Sequence, residues 1–327
     1  MLVFRGFRRS FATSTVLTIG NFDGVHRGHQ TLLAHLIATA RRGGLPAAVM
    51  TFEPHPREFF SPATAPARLS TLREKLEAFA AAGVDEVYAI RFNAAFAALS
   101  AEAFVEETLH SGLHVRHLII GDDFRFGAER QGNFSYLQAA GRRLGFKVEA
   151  MPTVSHARER VSSSAIRTAL ATGDCAKAET FLGHPYAIAG QVVHGRKLGR
   201  QLGFATANIR IRHNPPPMQG VFAVRVSVGD KVSLPGVANL GLRPTIANAS
   251  GLAPLLEVHL LDFTGNLYGA HLHVAFLQKL RAEMKFADLT SLKRQIAQDV
   301  RAAQAFFSPS PQAESPNPLS YLSTCHG

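Results

Sequence analysis

The chain has 327 residues, 46% hydrophobic and 18% charged, which excludes an intrinsically disordered protein and, at roughly 100–200 residues per domain, points to two domains. No apolar run approaches the ~20 residues that a membrane span requires, and two distant cysteines, Cys175 and Cys325, give no disulfide framework and fit a reducing, cytoplasmic compartment. The net charge of +11 fits anionic partners or simple solubility; the basic residues are scattered, no dense Lys/Arg run supports nucleic-acid binding, and oligomeric state is not legible.

At the N-terminus, Arg5, Arg8 and Arg9 with Ser10 and Ser14, and no acid before Asp23, have the composition of a transit peptide. Against that reading, a strand-like run from Val16 leads straight into a glycine-rich motif. Residues 16–150 then alternate. Residues 16–19 read as a strand, and Leu32, Leu33, Leu36, Ile37 and Ala40 recur at helical spacing. Residues 47–52 read as a buried strand, followed by a helix marked by Leu72, Leu76 and Phe79. Short β runs at 87–90 and 118–120 flank a helical stretch at 100–110, and a helix at 135–144 precedes a strand at 146–150. Such alternation predicts an α/β fold with a parallel sheet covered by helices on both faces.

The texture changes near residue 184. Val224, Val226 and Val228 alternate with polar residues up to Gly229-Asp230, which predicts a two-residue hairpin turn into Val232 and Leu234. Val258 and Leu260 alternate with Glu257 and His259, and Leu272, Val274 and Phe276 follow a turn at 264–266. Several short strands with turn signals predict a small antiparallel β-barrel. A last helix carries Leu292, Ile296, Val300 and Ala303 on one face. The expected division is a first domain over 1–183, a second over 184–307 and a disordered Ser- and Pro-rich tail over 308–327.

The first chemistry-bearing motif is Gly20-Asn21-Phe22-Asp23-Gly24-Val25-His26-Arg27-Gly28-His29, between a strand and a helix. A glycine turn there exposes backbone N–H groups to a phosphate, and the helix dipole adds positive potential. His26 and His29, three apart on the first turn, are placed to neutralise charge that grows on a phosphate in a transition state. Gly28 is expected to clear space for a nucleotide. Two surface histidines or a metal pair are the plain alternatives. A second element, Ser162-Ser163-Ser164-Ala165-Ile166-Arg167, opens a helix; its serines are either caps or, with Arg167, clamps on a triphosphate.

Together these two elements resemble the nucleotidyl transferases with the H-x-G-H signature, and residues 14–306 are similar to the bacterial bifunctional riboflavin kinase/FAD synthetase family. The resemblance extends over Thr51-Phe52-Glu53-Pro54-His55-Pro56-Arg57 and Gly121-Asp122-Asp123-Phe124-Arg125-Phe126-Gly127. It implies a Rossmann-like nucleotidyl-transferase sheet followed by a riboflavin kinase-like barrel. It also implies His26 and His29 as catalytic residues; Gly20, Phe22, Asp23, Gly24, Gly28, Ser163, Ser164 and Arg167 around ATP; and His55, Asp123 and Phe124 as flavin-site candidates. Where the family often has Ser-Ser-Thr, this chain has Ser162-Ser163-Ser164, which keeps a hydroxyl.

The stretch 190–209 holds four glycines and three basic residues without the Walker pattern, and by itself it reads as a surface loop as readily as a cover for polyphosphate. The family carries Pro-Thr-Ala-Asn after such a stretch, whereas this chain has Ala205-Thr206-Ala207-Asn208. The resemblance makes Thr206 and Asn208 ligands of Mg²⁺ and the ATP phosphates, Gly195, Gly199 and Arg200 part of the phosphate loop, and Glu257 the catalytic base. A solvated glutamate on a strand face is the alternative for Glu257. Loss of the proline removes a fixed φ and is expected to loosen the loop. The implied reactions convert riboflavin to FMN and FMN to FAD with ATP. An adenylyltransferase with an impaired kinase domain and a non-catalytic flavin-binding regulator are the rival readings.

Overall fold

A computed structural model describes residues 1–6, 14–194, 203–211, 215–228, 231–244 and 252–308. Its first half alternates β1 (Leu2–Arg5), β2 (Thr15–Ile19), α1 (Arg27–Gly43), β3 (Ala47–Glu53), α2 (Pro56–Phe60), α3 (Leu72–Ala82), β4 (Glu86–Arg91), α4 (Ala94–Ala97), α5 (Ala101–Ala103, continuing as a π-helical segment Phe104–Gly112), β5 (Val115–Gly121), α6 (Phe134–Leu144) and β6 (Lys147–Met151). The six strands form one parallel sheet in the order β1-β4-β3-β2-β5-β6. Alternate strand residues feed opposite faces. Val16, Val49, Val87 and Ile119 pack on Leu33, Leu36 and Phe79 of α1 and α3; Leu17, Met50, Tyr88 and Leu118 pack on Phe104, Leu109 and Leu137 on the other side. Strands buried on both faces explain the near-continuous apolar runs that made them legible.

Residues 2–5 form an element that the spacing does not predict. They are a strand, paired in parallel with β4 at the sheet edge. Its four residues are short and mostly exposed, with Leu2 at 56% and Val3 at 43%, so no buried pattern marks them. The basic residues 7–13 lie outside the described residues.

A short hairpin of β7 (Ser155–His156) and β8 (Glu159–Arg160) leads to α7 (Ser163–Thr172) and α8 (Cys175–Leu182), capped by Ser162 and Asp174. Then β9 (Ala187–Val193), β10 (Ala207–Arg210), β11 (Gly220–Val228), β12 (Lys231–Pro244), β13 (Leu252–Leu260) and β14 (His271–Arg281) close an antiparallel barrel in the order β10-β13-β12-β11-β14-β9. Phe222, Val224, Val226, Leu240, Leu256, Val258, Val274 and Phe276 fill its interior. The stretch 190–209 is therefore partly strand rather than one loop: residues 190–193 belong to β9, and a Cβ at Gly190 would meet the Arg210 carbonyl oxygen at 2.3 Å. Residues 195–202, with Gly195, Gly199 and Arg200, the turn Gly229-Asp230 and the tail from residue 309 lie outside the described residues.

The last helix, α9 (Leu289–Phe307), lies on the outer face of the barrel, where Val300, Ala303 and Phe307 meet Val221, Ala223 and Val237. Arg281 of β14 donates from Nε and Nη2 to the two oxygens of Asp299 at 2.9 and 2.8 Å, and Asp299 is 5% exposed. Gln295 donates to the same carboxylate at 3.0 Å. Removing one partner of such a pair leaves a buried charge, so Asp299→Ala is expected to destabilise by about 3–5 kcal/mol in denaturant unfolding. A loss under about 1 kcal/mol, the range of a surface pair, would show that water replaces the carboxylate.

The expected boundary at 183/184 falls at the end of α8, but the hydrophobic core continues across it. Ile166, Leu170, Phe181 and Leu182 of α7 and α8 share one cluster with Tyr186, Ile188, Phe222 and Phe276 of the barrel side. A fragment of residues 163–307 is expected to melt several degrees above one of 184–307, because the shorter piece exposes the apolar surface that α7 and α8 cover. Equal melting temperatures would mean that the barrel closes itself.

Candidate functional site

The chain leaves β2 in opposite directions, to β3 and β4 on one side and to β5 and β6 on the other. Such a switch point opens a crevice at the carboxyl ends of the central strands. The turn after β2 and the Gly121–Phe124 turn after β5 both border it.

The turn from Gly20 to His26 is held in an uncommon backbone path: Phe22, Gly24 and Val25 have φ of 51°, 82° and 39°. A Cβ on Gly24 would sit 2.9 Å from Leu69, so this position also needs glycine for space. His26 is the N-cap of α1, and its Nδ1 accepts from the His29 backbone N–H at 3.4 Å. The two imidazoles stack at 3.7 Å with an interplanar angle of 15°. Burial pushes His26 down from its ordinary 6.5 to about 4. Burial, with His26 and Lys75 adding to it, holds His29 well below the ordinary range. Both rings are neutral at pH 7, and each still carries one N–H to donate. Gly28 serves the pair as well as any ligand, since a Cβ there would press on the His26 ring at 3.2 Å.

Several residues expected at the phosphates also make contacts within the protein. Phe22 is fully buried, its ring packed against Phe79 and His29. Asp23 is 4% exposed, and its Oδ1 accepts from the backbone N–H groups of Leu69 and Ser70 at 3.0 Å each. Arg167 pairs with the other Asp23 oxygen and donates to the Ala67 carbonyl. In this arrangement Asp23 and Arg167 tie α7 to the turn, a role that sequence spacing does not reveal across 144 residues. Ser163 adds to the tie through a 2.8 Å bond from Oγ to the Asp23 carbonyl, Ser162 caps α7, and Ser164 is exposed.

Around the crevice, His55 caps α2 by accepting from the Arg57 N–H at 3.1 Å, and burial lowers its pKa, opposed by Asp23 and Glu58. Asp123 is exposed and pairs with Arg160 at 2.5 Å, joining the turn after β5 to the β7–β8 hairpin. Phe124 stacks on Phe126 at 5.7 Å. One buried cation escaped notice in the sequence: Lys75 of α3, 4% exposed, donates to the Asn21 carbonyl and Thr51 Oγ1 at 3.2 and 3.3 Å. Its helical spacing with Leu72 and Phe79 was the available signal, hidden because a lysine among apolar residues reads as the helix's wet face.

A second cleft of about 280 Å³ lies between the barrel's outer face and α9. Its floor is polar, with Thr206, Asn239, Glu257 and Arg281, and Leu292, Ile296 and Val300 of α9 form an apolar wall. Asn208 is the cross-strand partner of Glu257 in the β10–β13 ladder, which puts both side chains on one face. Thr206 precedes Asn208 by two residues and shares that face. These oxygen donors match the requirements of a hard divalent cation. Among the described residues no group of three or more His, Cys, Asp or Glu is placed to hold a metal ion.

The chain matches the family model of FAD synthetase over residues 8–165 and that of riboflavin kinase over residues 182–307. It is 52% identical to the bifunctional riboflavin kinase/FMN adenylyltransferase of Escherichia coli strain K12 over 293 residues, 89% of this chain and 92% of the relative. It is 51% identical to the enzyme of the same name from Haemophilus influenzae, over 89% of this chain and 94% of the relative. A solved structure from Streptococcus pneumoniae, described as a macrolide-efflux protein, shares the fold with a TM-score of 0.78 and 27% identity, covering 93% of this chain and 99% of that one. With both segments matched in order and half of its aligned residues shared along most of its length, the chain belongs to the family of bifunctional riboflavin kinase/FMN adenylyltransferases.

Proposed function

We propose that this chain phosphorylates riboflavin to FMN on its barrel and adenylylates FMN to FAD at the crevice of its parallel sheet, with ATP as co-substrate in both steps. The observation that carries the reading is two separate polar sites on one chain: the stacked His26–His29 pair at a helix N-terminus, and Glu257, in register with Asn208, in the cleft facing α9. We assign residues 1–183 to adenylylation and 184–307 to the kinase.

At the first cleft the FMN phosphate attacks the α-phosphorus of ATP and pyrophosphate leaves. Little covalent work falls to the protein; positioning and charge stabilisation dominate. The backbone of Gly20 and Gly24 and the N-terminus of α1 face the phosphates, with the Phe22 ring packed against His29, while His26 and His29 donate N–H bonds to charge developing there. Asp23, Ser163 and Arg167 keep α7 docked on the turn, and His55, Asp123 and Phe124 line the flavin side.

At the second cleft Glu257 orients the 5′-hydroxyl of riboflavin and takes its proton as the γ-phosphoryl group is transferred. Thr206 and Asn208 would hold Mg²⁺, which when bound neutralises the phosphate charge. Gly195, Gly199 and Arg200 belong to the loop assigned to the phosphates. We assign a cytoplasmic location; among the described residues Cys175 is buried and no helix is long and apolar enough to cross a membrane. We assign no nucleic-acid partner.

Incubation with riboflavin, ATP and Mg²⁺, followed by separation of the flavins, tests the whole reading. FMN and FAD are the expected products. FAD from supplied FMN without any FMN from riboflavin would leave an adenylyltransferase with an impaired kinase, and bound flavin without turnover would leave a regulator.

A further inference from the structure

Asn239 lines the kinase-side cleft and has no part in the reactions above. Strand register sets its place. Asn208 of β10, Glu257 of β13 and Asn239 of β12 are successive cross-strand partners, so their side chains leave the same outer face of the barrel in one row. Glu257 stands between the two carboxamides, with neighbouring strands about 4.8 Å apart.

Asn239 Oδ1 is buried, and no donor among the described residues meets it. A buried acceptor without a partner destabilises the fold, and its retention calls for a physical reason. Nearby donors are engaged. Arg281 gives Nε and Nη2 to Asp299 and Nη1 to the Ala282 carbonyl, and His259 Nδ1 pairs with the Ala205 carbonyl. Asn239 itself lines the cleft, so rotation about its soft χ2 would present the oxygen there.

The geometry points to Asn239 as the residue that receives the hydroxyl adjacent to the one phosphorylated, and so selects a polyol side chain as acceptor. This rests on the kinase reading of the barrel. In-line transfer puts the donor phosphate and the acceptor's carbon chain on opposite sides of the attacking oxygen. Thr206 and Asn208 occupy the phosphate side of Glu257, so the chain departs on the Asn239 side. A phosphate would bring only acceptors to Oδ1, whereas a hydroxyl brings the missing donor. Asn239 is thus a positioning residue that confers specificity.

The test compares riboflavin with its 4′-deoxy analogue. The wild-type protein is expected to prefer riboflavin in kcat/KM by about 10–100-fold, the worth of one hydrogen bond to a group otherwise left unpaired. In Asn239→Leu, close in shape but without the acceptor, that preference should vanish. The Kd for riboflavin, read from flavin fluorescence, should rise by a similar factor, with the KM for MgATP unchanged. The melting temperature of the free variant should hold or rise, because the unpaired acceptor is gone; a merely structural residue would lower it. Asn239→Ser restores an oxygen on a shorter stem and should recover part of the preference, and it carries the test should the Leu variant not fold. Full discrimination in Asn239→Leu, or a wild type indifferent to the 4′-hydroxyl, overturns the role of Asn239 alone. A wild type that makes no FMN overturns the kinase reading itself.

Discussion

Glu257→Gln is expected to cut FMN formation by about 10²–10⁴-fold, the usual range for loss of a general base, while FAD formation from supplied FMN persists. A γ-phosphoryl transfer needs an aligned hydroxyl more than a strong base, and a carboxylate within hydrogen-bond reach provides alignment and proton acceptance together. Gln keeps part of the first and none of the second. Glu257 lines the cleft rather than the apolar interior, so the melting temperature should move little. Both rates are measured on one preparation, the kinase with riboflavin and the adenylyltransferase with FMN. A near-normal kinase rate removes Glu257 from the mechanism and returns it to an ordinary strand-face glutamate. Loss of both rates with a lowered melting temperature marks it as structural.

The second large effect is expected at the histidine pair. His26→Ala and His29→Ala should each lower FAD formation by about 10²–10³-fold, comparable to removing one preorganised donor to a developing charge, and should leave FMN formation intact. The pair also has a stability signature. Folded His26 titrates near 4 against 6.5 for the free side chain, and His29 is shifted in the same direction. Between those values the unfolded chain binds protons that the folded chain refuses, so stability is full above pH 6.5 and is lost as pH falls toward 4. Wild type minus double variant, compared as melting temperature against pH, should isolate this slope, with the variant flatter on the acid side. Equal slopes would mean that the rings are not held neutral. Full FAD synthesis by the double variant would remove them from the chemistry and leave them a packed structural pair.

Much of the architecture was legible in the sequence because its causes are local. Alternation of period 2 in Val224, Val226 and Val228 marked a barrel strand, and helical spacing in Leu292, Ile296, Val300 and Ala303 marked α9, since in each case one face must leave water. The glycine turn with His26 and His29 was legible because turn, cap and first helical turn lie within ten residues. The resemblance supplied what spacing does not: the roles expected of Thr206, Asn208 and Glu257.

Other features were decided by tertiary structure alone, for one physical reason: they depend on which distant segments meet. No spacing pairs Asp23 with Arg167 or Arg281 with Asp299, because an ion pair has no period in the sequence. The edge strand at residues 2–5 exists through its partner β4 and carries no buried pattern of its own. No spacing shows that Lys75 meets the Asn21 carbonyl and Thr51, which come from the turn after β2 and from β3. The register that sets Glu257 between Asn208 and Asn239 arises only when β13 is clamped between β10 and β12. Composition and spacing thus determined a parallel sheet, a barrel and a histidine turn; closure of the barrel and docking of α7 and α9 decided which side chains share a cleft.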